Sequence, residues 1–135
     1  MKKPIILLTS LIVLLFSFKT IANYSTSQIG DNPPLFYGDF CTMPGDNRCF
    51  ITYMKEELYA LPNRCDGELK GKYTVMFTIS KRGKVIHAEL AHEYPDLCDY
   101  WKNKIILTTL KSPLWVPAQK EHEKVEHTMS IILEL

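Results

Sequence analysis

The sequence predicts an α+β domain in which a small antiparallel sheet carries two helices on one face. Residues 73–79 alternate apolar and polar side chains, Tyr73, Val75, Phe77 and Ile79 against Thr74, Met76 and Thr78, the period of a half-buried strand. Two flanking stretches instead repeat apolar residues every three or four positions, as an amphipathic helix does. The chain then runs through a Trp set between Pro113 and Pro117, which no helix interior accepts, into a second alternating stretch from Val125 to Leu135.

The chain opens with Met1-Lys2-Lys3, a mostly apolar run from Pro4 to Phe18, and the small-residue end Thr20-Ile21-Ala22. Residues 1–22 therefore read as a secretory signal peptide, which places the remainder in the periplasm. The alternative is an uncleaved inner-membrane anchor facing the periplasm, since Ile5–Ala22 approaches the ~20 residues of a membrane span. No Leu-x-x-Cys lipobox precedes Cys41, which argues against a lipid anchor. Removing residues 1–22 takes away Lys2, Lys3 and Lys19 and no acid, so 16 basic and 15 acidic residues become 13 and 15. That balance offers no whole-chain electrostatic reason to expect nucleic acid or an anionic membrane as partner.

Residues 23–45 form an irregular, proline-containing lead-in, with Leu35, Phe36, Tyr37 and Phe40 expected as a strap over a core. The domain proper spans 46–135. Asp46 is the expected cap of the first helix, whose buried stripe is Phe50, Ile51, Met54, Leu58 and Leu61 and which Pro62 ends. After a turn-rich stretch, the first strand leads through Lys81-Arg82-Gly83 into a second, from about Lys84 to Ala91. Ile86, Ala88 and Leu90 share one side of that strand, with Val85, His87 and Glu89 on the other. Asp96 is the expected cap of the second helix, which runs to about Lys111 on a stripe of Leu97, Trp101, Ile105 and Thr109. The order α-β-β-α-β, with a right-handed crossover, predicts a three-stranded antiparallel sheet ordered 2-1-3.

Cys41, Cys49, Cys65 and Cys98 are an even set in an exported chain, read as two disulfides with three pairings open. None stands in Cys-x-x-Cys, which argues against a thioredoxin-like site or a zinc ribbon. His87, His92, His122 and His127 lack ligand spacing, so no metal or other cofactor is expected, and His127 is expected to pack beside Val125 and Met129. No nucleophile, base and pocket can be named together, and the expected class is a non-enzyme.

Several features resemble, in order and spacing, the C-terminal domain of TonB, the periplasmic energy-transducing protein. These are Pro44-Gly45, Leu61-Pro62, Gly71 before the first strand, Gly83 in the turn, Leu97 opening the second helix, and Trp115-Val116-Pro117-Ala118 before the last strand. The resemblance covers about residues 44–135. Cys65 and Cys98 fall on two positions where that family has other residues, which favours pairing them with each other and leaves Cys41 for Cys49. Leu61 replaces the usual Tyr, the bend Lys120–Lys124 lacks the usual Gly, and no membrane-helix His is present. Residues 23–43 reach at most about 70 Å, far short of the family's long spacer.

The resemblance implies a binding edge at the last strand, Val125, His127, Thr128, Met129, Ser130, Ile131 and Leu133, to which an extended segment of an outer-membrane receptor or other envelope protein adds. Transport dependent on such coupling is the expected setting, and edge strands also allow a homodimer. The alternative function is a secreted, disulfide-stapled protein that uses the same fold to neutralise another protein or to bind cell wall.

Overall fold

The computed structural model describes residues 32–37, 41 and 47–135. The signal segment, the Asp46 cap, Phe40 and Pro44-Gly45 lie outside the described residues.

The chain forms β1 (Leu35–Phe36), α1 (Asn47–Tyr59), β2 (Lys72–Ile79), β3 (Val85–Leu90), α2 (Asp99–Leu110), β4 (Trp115–Val116), β5 (Ala118–Lys120), β6 (Glu123–Val125) and β7 (His127–Glu134). β2, β3 and β7 make a three-stranded antiparallel sheet in the order β3-β2-β7, the order expected from the crossover. β1 pairs with β4, and β5 with β6. Tyr73, Val75, Phe77 and Ile79 of β2, with Ile131 and Leu133 of β7, meet Phe50, Met54 and Leu58 of α1 and Trp101 and Ile105 of α2 in one buried cluster. Both helices thus lie on one face of the sheet.

α1 ends as its last turn tightens, Ala60 N–H donating to Glu56 and Leu61 N–H to Leu58, just before Pro62 forbids another turn. Leu61, expected in the helical stripe, sits past the helix end and is half-buried. α2 departs from expectation at its start. Its N-cap is Cys98, without a side-chain cap bond, and Asp96 lies two residues before it. The Cys65–Cys98 disulfide, Cα–Cα 6.4 Å, ties that helix start to the preceding loop. Asn63 completes the tie, its Oδ1 accepting from the Cys65 amide at 3.0 Å and from the Trp101 indole at 3.2 Å. Tyr100 adds a hydroxyl bond to the Pro62 carbonyl, 2.8 Å. At the other end of α2, the Tyr53 hydroxyl donates to the Thr108 carbonyl at 3.1 Å, one of the four a helix C-terminus leaves unpaired.

The second strand corrects the sequence pattern. Pairing passes from Thr78–His87 to Ile79–Val85, leaving Ile86 unpaired as a β-bulge. One extra residue reverses the alternation, so Val85 is 2% exposed inside and Ile86 is 50% exposed outside, while Ala88 and Leu90 keep the inner side. At the far end of the ladder, Thr74 receives the Ala91 amide and its own N–H is taken by the Tyr94 hydroxyl at 2.6 Å. Tyr94 holds φ +47°, a conformation that costs a non-glycine residue roughly 1–2 kcal/mol.

The proline-flanked linker is more ordered than its composition suggests. Phe36 pairs with Trp115 and Leu35 with Val116, and Asn32 exchanges two backbone bonds of 2.9 Å with Gln119. Trp115 sits 5.0 Å from Phe36, 5.2 Å from Phe50 and 5.5 Å from Phe77, ring centre to ring centre. The expected strap is therefore present through Phe36, while Tyr37 remains exposed. The second disulfide, Cys41–Cys49, joins the strap to α1 with Cα–Cα 5.3 Å.

The turn Ser80–Lys84 closes through Ser80 N–H to Lys84 and Gly83 N–H to Ser80, with Gly83 at φ +82°. Gly83 also accepts the Trp115 amide at 2.8 Å, and a Cβ on it would stand 1.9 Å from the Trp115 carbonyl oxygen. Gly83→Ala combines a left-handed backbone penalty with forced displacement of the linker. Chemical denaturation is expected to register a loss of more than about 2 kcal/mol, and a loss under 0.5 kcal/mol would refute the coupling.

Burial, and then the Glu57 carboxylate, raise the Tyr53 hydroxyl to about 12. A folded-state pKa above the unfolded value of 10.0 gives stability that is whole below pH ~10 and lost as pH climbs toward 12. Tyr53→Phe is expected to cost about 1 kcal/mol at neutral pH. It should also flatten part of the decline between pH 10 and 12 in thermal melts, and identical alkaline profiles would contradict this.

Candidate functional site

The sheet has two edges, β3 and β7, and they are not equivalent. β3 is six residues long, bulged at Ile86 and packed by α2, all features that discourage further pairing. β7 is eight residues long, regular, and has no described strand beyond it. Only its flanks carry charge, Glu126 before it and Glu134 at its end.

Which backbone groups face outward follows from the register. Gly71 and Leu135 exchange both of their bonds, 3.0 and 2.8 Å, so they form a hydrogen-bonded pair. Such pairs recur at every second residue of an antiparallel ladder, here Tyr73–Leu133, Val75–Ile131, Phe77–Met129 and Ile79–His127. His127, Met129, Ile131 and Leu133 therefore spend their N–H and C=O groups on β2. Thr128, Ser130, Ile132 and Glu134 direct theirs away from the sheet, and all four are exposed. Their side chains line the face away from the helices, where Thr128 and Thr78 share a hydroxyl bond of 2.8 Å. Ile132 is 60% exposed.

The sequence-derived site is thus split by the structure. Val125 belongs to β6, opposite Ala118, and β7 begins two residues later at His127. Among the residues expected at the edge, Thr128 and Ser130 offer free backbone groups. Ile131 and Leu133 are core residues, and Met129 and His127 are half-buried on the helix side. Ile132 and Glu134 were missed as edge groups. Strand alternation alone could have found them once the pairing partner of β7 was known.

The remaining motif residues hold the frame. Gly71 pairs with Leu135, Leu97 is buried, Pro62 accepts from Tyr100, and Ala118 is buried beside the half-buried Pro117. A hollow of about 230 Å³ near the start of β7 is lined by Asn32, Pro33, Ala118, Gln119, Lys120, Val125 and His127. A cleft of about 290 Å³ at the far end of α1 includes Asn63, Glu68 and Trp101. Asn63 there is engaged by Cys65 and Trp101. The histidines are dispersed. His87 stands 3.7 Å from Glu89 on the outer face, His92 stacks edgewise on Tyr94, His122 lies in a turn, and His127 lines the hollow.

No protein-family model, curated protein or solved structure matches the chain.

The hairpin leading into β7 holds Glu121 at φ +52° and His122 at φ +66°, the φ signs of a type I′ turn. Asn-Gly is the favoured pair there, and each left-handed non-glycine residue costs roughly 1–2 kcal/mol. Replacing Glu121→Asn and His122→Gly together is expected to raise stability by about 1 kcal/mol or more, read as a higher denaturation midpoint. A lower midpoint would exclude strain in this turn.

Proposed function

We propose that this chain is an exported, non-catalytic binding module of the cell envelope, related in fold to the TonB C-terminal domain. An extended segment of an outer-membrane receptor or another periplasmic protein adds to β7. The observation that carries the reading is the contrast between the two edges. β3 is bulged and packed by a helix, whereas β7 directs the backbone groups of Thr128, Ser130, Ile132 and Glu134 into solvent along a regular strand. Strand addition takes its affinity from such groups and its selectivity from the alternating side chains beside them. Two disulfides suit an oxidising compartment such as the periplasm. Among the described residues no helix is long and apolar enough to cross a membrane.

A proline at Ser130 removes an outward N–H without touching the ladder to β2, which edge positions tolerate. A proline at Ile131 removes a bond inside the sheet and should destabilise the fold. A photo-crosslinker at Ser130, used in envelope extracts, is expected to mark an extended segment of an envelope protein, and the matching synthetic peptide should bind. Ser130→Pro should weaken that binding about tenfold or more, one lost backbone bond plus a steric block, while leaving the fold intact. Undiminished peptide affinity in a folded Ser130→Pro protein would reject the proposal.

A further inference from the structure

We propose that the tip formed by the β2–β3 turn and the linker ahead of β4 docks on the surface of an anionic phospholipid bilayer. Lys81, Arg82 and Lys84 surround Gly83, and the Gly83 carbonyl is bonded to the Trp115 amide at 2.8 Å. Leu114 and Val116 flank Trp115. The indole is buried in the aromatic cluster, so its two neighbours turn the other way, and Leu114 is 66% and Val116 39% exposed. One backbone hydrogen bond therefore sets two outward apolar side chains beside three exposed cations. None of these cations makes an ion pair with a described acid.

Leu114 is the most exposed of the large apolar residues described, and it sits on a proline-flanked linker rather than in a groove. A protruding apolar residue on the same tip as exposed cations suits a headgroup layer, where it reaches the acyl boundary while lysine and arginine stay with the phosphates. Near-neutral whole-chain charge does not oppose this, because attraction to a charged surface acts within a Debye length of about 8 Å at physiological salt. Each cation near such a surface is worth about 1 kcal/mol, roughly fivefold in partitioning.

The test is sedimentation of the chain, as exported from its expression host, with vesicles of phosphatidylglycerol and phosphatidylethanolamine, against pure phosphatidylcholine. Binding to the anionic vesicles alone, weakened by added salt, is expected. Replacing Lys81, Arg82 and Lys84 together with Ala should reduce partitioning about a hundredfold, and Leu114→Ser about tenfold. All four positions are exposed, so unchanged thermal melts are expected alongside. No binding to anionic vesicles, equal binding to neutral ones, or indifference to either set of substitutions would overturn the proposal. The first of these outcomes would leave the tip to a protein partner instead. Ser130→Pro should leave vesicle binding untouched, which separates this surface from the β7 edge.

Discussion

The bond between the Trp115 amide and the Gly83 carbonyl fixes where the chain crosses from α2 to its last strand. With that point fixed, the indole enters the space between Phe36, Phe50 and Phe77. The linker is then extended enough to offer β4 to the strap and to start β7 in register with β2. The constraint is severe because Gly83 must satisfy two conditions at once, a left-handed φ and the absence of a Cβ where the Trp115 carbonyl rests. Each of the three ring contacts adds about 0.5–1.5 kcal/mol beyond buried area, so the aromatic cluster repays the rigid turn.

The opposite end of the domain is held by different means. There the helix start lacks a side-chain cap, and the Cys65–Cys98 bond, Asn63 and Tyr100 fix it instead. A covalent tie limits the unfolded chain, which matters most in a domain too small for a large core. Tyr94 belongs to the same end. Its strained backbone places a hydroxyl where the ladder runs out, satisfying the Thr74 amide that β3 no longer reaches. A side-chain oxygen thus finishes the sheet here, and at the far end of α2 the Tyr53 hydroxyl does the same for the Thr108 carbonyl.

Much of this was legible in the sequence, and the remainder was not, for physical reasons. Strict alternation in β2 and the three-four repeats of both helices report burial directly, so those elements and the sheet order could be read. The bulge at Ile86 could not, because a single unpaired residue exchanges the faces of Val85 and Ile86, and either side chain is apolar enough to be the buried one. The Asp96 cap failed because α2 starts at the residue held by the Cys65–Cys98 disulfide, a tie that capping preference does not report. β1, β5 and β6 are two or three residues long, too short to carry a period. The last strand itself could be read, but which of its residues turn their backbone groups away from the sheet could not. Side-chain pattern shows which residues are buried, while the direction of each N–H depends on which neighbour the strand pairs with.

That parity divides β7 into two sets of residues. The residues whose side chains build the core, Ile131 and Leu133, also commit their backbones to β2. The intervening residues, Thr128, Ser130, Ile132 and Glu134, have exposed side chains and outward backbone groups, and Thr128 alone among them spends its side chain on the sheet, bonding the Thr78 hydroxyl. Substitution at Ser130, Ile132 or Glu134 therefore opens no core cavity and breaks no bond of the ladder to β2. β3 has no such separation. Its regular outward-facing positions, Ala88 and Leu90, place their side chains against the core cluster, and α2 packs on the strand. Among the described strands, the sheet thus has one edge coupled to its core and one edge, β7, whose outward side chains vary at little cost to folding.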